Sequence, residues 1–431
     1  MKQATLTDEK LYTLQMVSCD YYMHETNPAN GLVADKTQKG SPASIAAVGL
    51  ALSAYPGVVE HGGISRVEAA QRVLTPLRYF WKSPQGPEPD ATGYKGFYYH
   101  FLDMQTGRRA WRCELSTLDT ALLLAGILTV GVYFDQDTEE EQEIRTLAEA
   151  LYRRVDWRWA LSEKGTVRHG WRPESGFIPY RYEGYDEALI LYILGLGSPT
   201  YPLPEESYGA WASTYEWKKV YGHEFLYSGP LFTHQLSHIW IDFLGIQDAY
   251  MRAKGIDYFE NSRRATYIQR EYTKRNPLEF EGYSEWCWGI TASDGPGWTV
   301  KCIKGVERRF FDYVARGAPF GPDDGTLAPW ATVASLPFAP EIVRPTIQHY
   351  DDINLGMTDP YGFKATFNPT FPSEAGNAHG YWVSPWHFGL DQGPIVLMIE
   401  NYRTELLWRL MRRCPYIVTG LHRAGFINGW L

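Results

Sequence analysis

Two stretches of this chain are apolar on every side of a helix, and both begin just after an acidic residue. Ala188 to Leu194 reads ALILYIL and follows Asp186 and Glu187. Ala121 to Leu128 reads ALLLAGIL and comes two residues after Asp119. A helix without a polar face has to be surrounded by protein, so both stretches predict buried inner helices. The first opens polar and aromatic at Tyr180, Arg181 and Tyr182, turns at Gly184, and is expected to end at Gly195, Gly197 and Pro199. A carboxylate in the first turn of such a helix is either a cap or a working group at the mouth of a pocket.

The rest of the chain supplies partners for these helices. Glu9 to Tyr22 and Ala43 to Ala54 carry helical spacing. Ser65 to Trp81 is a further helix, with Ser65 and Glu68 spaced as a capping box. Thr138 to Arg154 is acidic and amphipathic, so it belongs to an outer layer. Asp248 to Asn276 reads as one long polar helix broken near Lys254-Gly255, and helices over Gly393 to Asn401 and Thr404 to Cys414 close the chain. Gly96 to Arg112 reads as a small β-hairpin, with Phe97, Tyr99 and Phe101 alternating. The main loops rich in Gly, Pro and aromatics are Gly282 to Trp298, Gly317 to Trp330 and Tyr361 to Asn377.

About a dozen helices thus alternate between buried and amphipathic. No fixed-period repeat and no linker-like segment interrupts them. Inner helices paired with outer ones over 431 residues predict an all-α fold, an (α/α)6 toroid with long active-site loops, as a single domain over 1–431. Separate helical bundles are the alternative.

Composition narrows the ligand. Aromatics make up 15% of the chain, with 16 Trp and 30 Tyr, which suits a ligand with flat apolar faces and many hydroxyls, such as a sugar. A large core with aromatic filler explains the same count. The net charge is -9 and no Lys/Arg block is long enough for a nucleic-acid footprint, so nucleic acid is not an expected partner. The longest apolar run, Ala121 to Phe134, falls short of the roughly 20 residues that span a bilayer, so no membrane partner is expected either. MKQATLTDEK lacks the basic-then-apolar pattern of a signal peptide. As written, the chain is expected to be soluble and cytoplasmic, or periplasmic or secreted if a leader has been removed. The five cysteines are odd in number and form no CxxC pair, so neither a disulfide framework nor a zinc site is expected.

The two acids occupy matching places. Ser116-Thr117-Leu118-Asp119 and Gly184-Tyr185-Asp186-Glu187 each put an acid at the third position of an inner helix. Capping explains each one alone: Asp119 with Ser116 is a capping box, and Glu187 would cap its own helix. As a pair they suit glycoside hydrolysis, because a toroid brings the N-termini of its inner helices to one end. Burial among aromatics would raise the proton affinity of one acid, and helix-end amides would lower that of the other. Glu285, between aromatics, is a further candidate acid, while Asp294, Asp323 and Asp324 lie in turn-forming sequences. His234 and His238, four apart, would share a helical face, but Gln235 stands where a zinc protease has Glu. No metal is expected there, and hydrogen bonds to sugar hydroxyls or to buried backbone fit better. No nucleotide-binding or serine-hydrolase motif is present.

Several segments carry a resemblance to a known family: YDEALILYILGLGSPTYP, SGPLFTHQLSHIWIDF, GITASDGPGW, GAPFGPDDGTLAPWATVASLPFAPE, YGFKATFNPTF and DQGPIVLMIENYRTELLW. Together they resemble the bacterial glucoamylase-like proteins, a group that includes the endo-β-1,2-glucanases. The resemblance implies an (α/α)6 toroid, a β-glucan substrate and no metal or cofactor. It also implies anomeric inversion, with Glu187 in YDE and Asp119 in STLD at the acidic site positions. Glu187 is then the expected general acid and Asp119 the base or its orienter, or the reverse. Glu285 and Asp324 are expected to support them. Tyr185, Trp286, Trp288, Trp298 and Trp330 are expected to stack on sugar rings, and Arg181, His234 and His238 to bind hydroxyls. Rival readings are a retaining transglycosylase on the same fold, a non-catalytic glucan-binding protein and a lyase. The sequence does not give the oligomeric state.

Overall fold

Helices alternate between inner and outer layers through the first half of the chain, because apolar and amphipathic segments alternate there. The computed structural model describes residues 6–373 and 379–431. Half of the N-terminal stretch MKQATLTDEK (residues 1–5) and the tail of the Tyr361 to Asn377 loop (residues 374–378) lie outside the described residues. The chain divides into two compact units. Unit A comprises Tyr21–Tyr215, Ser237–Asp257 and Thr404–Leu431, and unit B comprises Met1–Asp20, Glu216–Leu236 and Tyr258–Arg403.

The first helix, α1 (Asp8–His24), runs across the division. Unit A then builds α2 (Ile45–Glu60), α3 (Arg66–Lys82), α4 (Thr117–Tyr133), α5 (Glu139–Arg153) and α6 (Leu189–Gly197). Helix α2 is buried from Ile45 to Val58 and α6 along its whole length, as helices without a polar face must be. Two glycines set how closely α2 and α4 approach. A Cβ on Gly49 would lie 2.3 Å from the Leu122 carbonyl oxygen, and one on Gly126 would lie 2.0 Å from that of Gly49. Only hydrogen fits between these backbones. Helix α6 meets the late helix Pro415–Arg423 in the same way, where a Cβ on Gly420 would lie 2.0 Å from the Ile193 carbonyl.

The outer helices α3 and α5 bury one face each. Ser65 caps α3 by accepting the Glu68 N–H at 3.1 Å, as its spacing predicts. Arg66 spans to the first turn of α5, donating to both oxygens of Glu141 at 2.7 and 2.9 Å.

Short strands lie at the N-terminal end of α4. Gly93–Tyr94, Phe97–Tyr99, Leu115–Ser116, Gly170–Arg172 and Gly176–Phe177 form a five-stranded antiparallel sheet in that order. The strand Leu115–Ser116 leads directly into α4. The expected hairpin over Gly96 to Arg112 is present in its outer part, where Leu102 bridges Arg109 in antiparallel register and the Asp103 and Ala110 N–H groups donate to the Arg108 and Phe101 carbonyls at 2.8 and 3.0 Å, but its start is built differently. Its first strand pairs with Gly93–Tyr94 and Leu115–Ser116, whereas Phe101–Leu102 pairs with Ala43–Ser44 just before α2. Phe97, Tyr98 and Tyr99 are all buried, so the period-two pattern marked no exposed face.

Other boundaries also move. Asp248 to Asn276 breaks as expected, into Ala249–Lys254 and Tyr258–Arg275, with Gly255 in the left-handed conformation between them (φ 69°). The chain closes on three helices rather than two: Gly389–Thr404, Leu406–Met411 and Pro415–Arg423.

Unit B packs Pro329–Ala334, Pro340–Asp352 and Gly389–Thr404 around a core that includes Trp288, Ile290, Val343, Ile347 and Ile399. Its loops carry short hairpins, such as Thr299–Ile303 against Val306–Phe310.

Candidate active site

The acids of unit A gather where the strands meet the starts of α2 and α4. Asp119 occupies the third position of α4, as expected, and takes part in a reciprocal cap. Ser116 Oγ accepts the Asp119 N–H at 3.1 Å and donates to Asp119 Oδ2 at 2.5 Å. The same Oδ2 faces His100 Nε2 at 3.6 Å. Among the described residues, Asp119 Oδ1 makes no hydrogen bond. The cap thus uses one oxygen of this carboxylate and leaves the other outside it.

His100 joins the edge strands to the helix. Its backbone N–H donates to the Glu114 carbonyl at 3.0 Å, and its carbonyl accepts the Ile45 N–H of α2 at 3.3 Å. Its ring stacks on Phe101 at 3.9 Å, and Nδ1 lies 3.0 Å from Glu114 Oε1. Burial disfavours a charge on this ring. The charges of Asp119, Glu114 and Asp35 and the hydrogen bond to Glu114 outweigh that cost and push its pKa up to about 9. The bond from His100 in turn holds the Glu114 carboxyl down at about 2, against burial. Asp35 completes the cluster. Burial pushes its carboxyl up to about 6, His100 and Lys36 pull it down, and Asp119 adds to the rise.

Glu187 does not lie inside its helix. Helix α6 begins at Leu189, so the expected third-position placement is corrected: Glu187 precedes the helix, in a turn. The reason is its neighbour. Asp186 Oδ1 accepts the Ala188 N–H at 3.0 Å, an Asx turn, and the Trp211 indole N–H at 3.0 Å. Asp186 therefore does the local bonding that Glu187 was expected to do, and no side chain caps α6. The Glu187 carboxyl hydrogen-bonds to no other residue among those described. Burial pushes it up, a bond to its own backbone opposes that, and the charge of Asp119 adds to the rise. The expected helix end also shifts, since Gly195 and Gly197 lie within α6 and Ser198 ends it. Tyr182 backs the site, stacked on His169 at 3.9 Å, with its hydroxyl held far above the ordinary range by burial and then by the charges of Glu187 and Asp119.

Several expected contacts sit elsewhere. Asp324 is fully buried and bonded throughout: Arg316 donates to Oδ1 at 2.8 Å and to Oδ2 at 2.9 Å, and the Thr326 and Phe311 N–H groups donate at 3.1 and 2.9 Å. It is a structural ion pair in unit B, not a supporting acid. Trp288 is 0% exposed and donates its indole N–H to Thr346, so it offers no face to a sugar. Trp330 is buried as well. His234 and His238 share no helical face, because each ends or lies in a separate 3-10 turn, Leu231–His234 and Leu236–Ile239. Both are buried, and burial holds His234 down at about 4. Arg181 is engaged by Glu183 through two bonds, at 2.9 and 3.0 Å. Tyr185 is buried, Glu285 and Trp286 are half-buried in unit B, and Trp298 is 67% exposed there.

Sequence reasoning missed Asp35, His100, Glu114 and Trp111. Only Glu114 carried a signal, standing just ahead of the capping box in CELSTLD. Trp111 is 63% exposed, and its ring lies 5.1 Å from that of Phe101. Trp111 and Arg112 both adopt left-handed backbone, with φ of 53° and 51°. Residues other than glycine adopt that conformation uncommonly.

Comparison with known proteins places the fold. A solved structure of an endo-β-1,2-glucanase from Chitinophaga pinensis, in complex with sophorotriose and glucose, is 26% identical with a TM-score of 0.84, covering 98% of this chain and 99% of that one. The fold is accordingly the all-α (α/α)6 toroid. A family model described as "Putative glucoamylase" matches residues 179–415, more than half of the chain. The chain belongs to this glucoamylase-like family. A structure from Bacteroides uniformis with the same description is 29% identical with a TM-score of 0.86, covering 99% of this chain and 100% of that one. A curated relative, the exo β-1,2-glucooligosaccharide sophorohydrolase (non-reducing end) of Parabacteroides distasonis, is 28% identical over 98% of this chain. The chain spans 59% of that relative's length.

Proposed function

We propose that this protein is a glycoside hydrolase that cleaves a β-1,2-linked glucan within the chain and inverts the anomeric carbon. The observation that carries the reading is Glu187, a half-buried carboxyl that hydrogen-bonds to no other residue among those described and whose proton affinity is raised by desolvation and by the charge of Asp119. A carboxyl that holds its proton this way suits the general acid, which leaves Asp119 as the base. Glu187 gives its proton to the glycosidic oxygen as the C1–O bond breaks. A water attacks C1 from the opposite face and passes its proton to Asp119 Oδ1. The proton then returns to Glu187 through solvent, which closes the cycle. The relatives' β-1,2-linked substrates support the linkage, and no cofactor is required by this chemistry. Trp111, rather than the buried Trp288 or Trp330, supplies the exposed face on which a sugar ring stacks.

The experiment is to offer linear β-1,2-, β-1,3-, β-1,4- and α-1,4-glucans to the wild type and to Glu187→Gln, then size the products. Short oligosaccharides are expected from the β-1,2 polymer alone. In the variant the rate should fall by roughly 10²–10⁴, the usual contribution of a general acid. Proton NMR of the first product should give the α anomer. A β anomer would indicate retention and transfer. Disaccharide released alone would favour exo action, the second reading, which the sophorohydrolase relative supports.

A further inference from the structure

We infer that His100 is a positioning residue for Asp119: a cation, locked by Glu114, that fixes Oδ2 and leaves Oδ1 aimed at the attacking water. The inference rests on the acid/base reading above and adds a residue that the reading does not need.

Four observations carry it. The ring cannot turn away, because it is stacked on Phe101 at 3.9 Å and its own backbone is bonded on both sides, to Glu114 and to Ile45. Its two nitrogens address two acids, Glu114 Oε1 at 3.0 Å and Asp119 Oδ2 at 3.6 Å. The 3.0 Å contact with Glu114 takes one ring proton, and the approach of a second carboxylate to 3.6 Å, an ion-pair distance rather than a hydrogen bond, favours a proton on the other nitrogen as well. Finally, Ser116 Oγ donates to the oxygen that His100 faces, so both groups hold Oδ2 and neither touches Oδ1.

The groups around the ring agree in sign. Glu114, Asp119 and Asp35 all bring negative charge toward it. Arg172, 3.6 Å from the far oxygen of Glu114, is on the other side of that carboxylate. Glu187 and Tyr182 feel the charge of Asp119, and neither is among the charges that act on the ring. A purely structural role, tying a strand edge to a helix start, would need the bond to Glu114 but not the approach to Asp119.

The test compares His100→Gln with His100→Arg, each checked for folding by circular dichroism. If His100 positions the base, the Gln variant loses about tenfold or more in kcat with KM kept, and the acidic limb of its kcat/KM profile moves to higher pH by about one pH unit, because the base has lost its cation. The Arg variant keeps the limb in place. A Gln variant that is folded and has an unmoved limb overturns the inference. Ring ¹⁵N NMR of the wild type gives a readout independent of turnover. Both ring nitrogens should stay protonated past pH 8, and titration near the ordinary histidine value overturns the inference. Should the wild type cleave no glucan, the hydrolase reading fails by itself. The carboxyl ¹³C titration of Asp119 then decides: a midpoint higher in the Gln variant upholds the clamp, and an equal midpoint overturns it.

Discussion

Asp119 and Asp324 are both acids beside a cation, and the surroundings of each decide what it can do. Asp324 has every oxygen committed to Arg316 and backbone N–H groups, with no exposure to solvent. Asp119 keeps one oxygen out of its cap. Asp324→Asn should therefore destabilise the fold by about 3–5 kcal/mol, the cost of leaving a buried partner charge uncompensated. Urea unfolding would measure it, and the folded fraction should keep its kcat. Asp119→Asn should lose turnover at a smaller cost in stability, because it removes one of the carboxylates around His100 but leaves no fully buried cation unpaired. Trp111 stands exposed beside Phe101, and Trp111→Ala should raise KM by about tenfold, on the order of 1.4 kcal/mol, with kcat unchanged. An unchanged KM would remove Trp111 from the substrate path.

At the scale of elements, the approach of α2 to α4 depends on two hydrogen atoms. Gly126→Ala would put a methyl carbon about where the Gly49 carbonyl already is, 2.0 Å away, and backbone cannot yield as a flexible side chain does. A loss of at least about 1–3 kcal/mol is expected from such overpacking. Because α4 carries Asp119, activity should fall together with the melting temperature. The outer helices are less demanding. Ser65→Ala, which removes the α3 cap, should cost about 1 kcal/mol and leave turnover alone. The cap was legible from Ser65 and Glu68 because capping joins residues three apart. The hairpin over Gly96 to Arg112 was legible only at its tip, where Leu102 bridges Arg109; Phe97–Tyr99 and Phe101–Leu102 also pair with Leu115–Ser116 and Ala43–Ser44, and alternation does not encode a partner.

For the molecule as a whole, the clamp makes stability depend on pH. The folded pKa of His100, about 9, lies above its ordinary 6.5, so its contribution is complete below 6.5 and is lost as pH rises through 9. The folded pKa of Glu114, about 2, lies below 4.5, so its contribution is complete above 4.5 and is lost as pH falls through 2. Asp35 opposes Glu114: raised from 3.8 to about 6, its contribution is complete below 3.8 and is lost as pH rises through 6. Unfolding free energies measured across this range should decline from pH 6.5 to 9 in the wild type. The decline should be smaller in His100→Gln, which has no imidazole to titrate.

Burial was readable in the sequence, and so was family. Helices α2, α4 and α6 are buried because their apolar residues leave no polar face, a property of each segment alone. The Asp119 cap is equally local, and the motifs from Tyr185 to Trp408 are strings of neighbours. The tertiary structure alone decided which charges meet. Asp35, His100, Glu114 and Asp119 come from a loop, a strand junction, a strand entry and a helix start, and no period links them. Likewise, the Asp186 oxygen that forms the turn ahead of α6 also accepts the Trp211 indole N–H, a partner 25 residues away. Local patterns record whether a residue faces water or protein. They do not record which distant group it faces, and the electrostatics of the site depend on that.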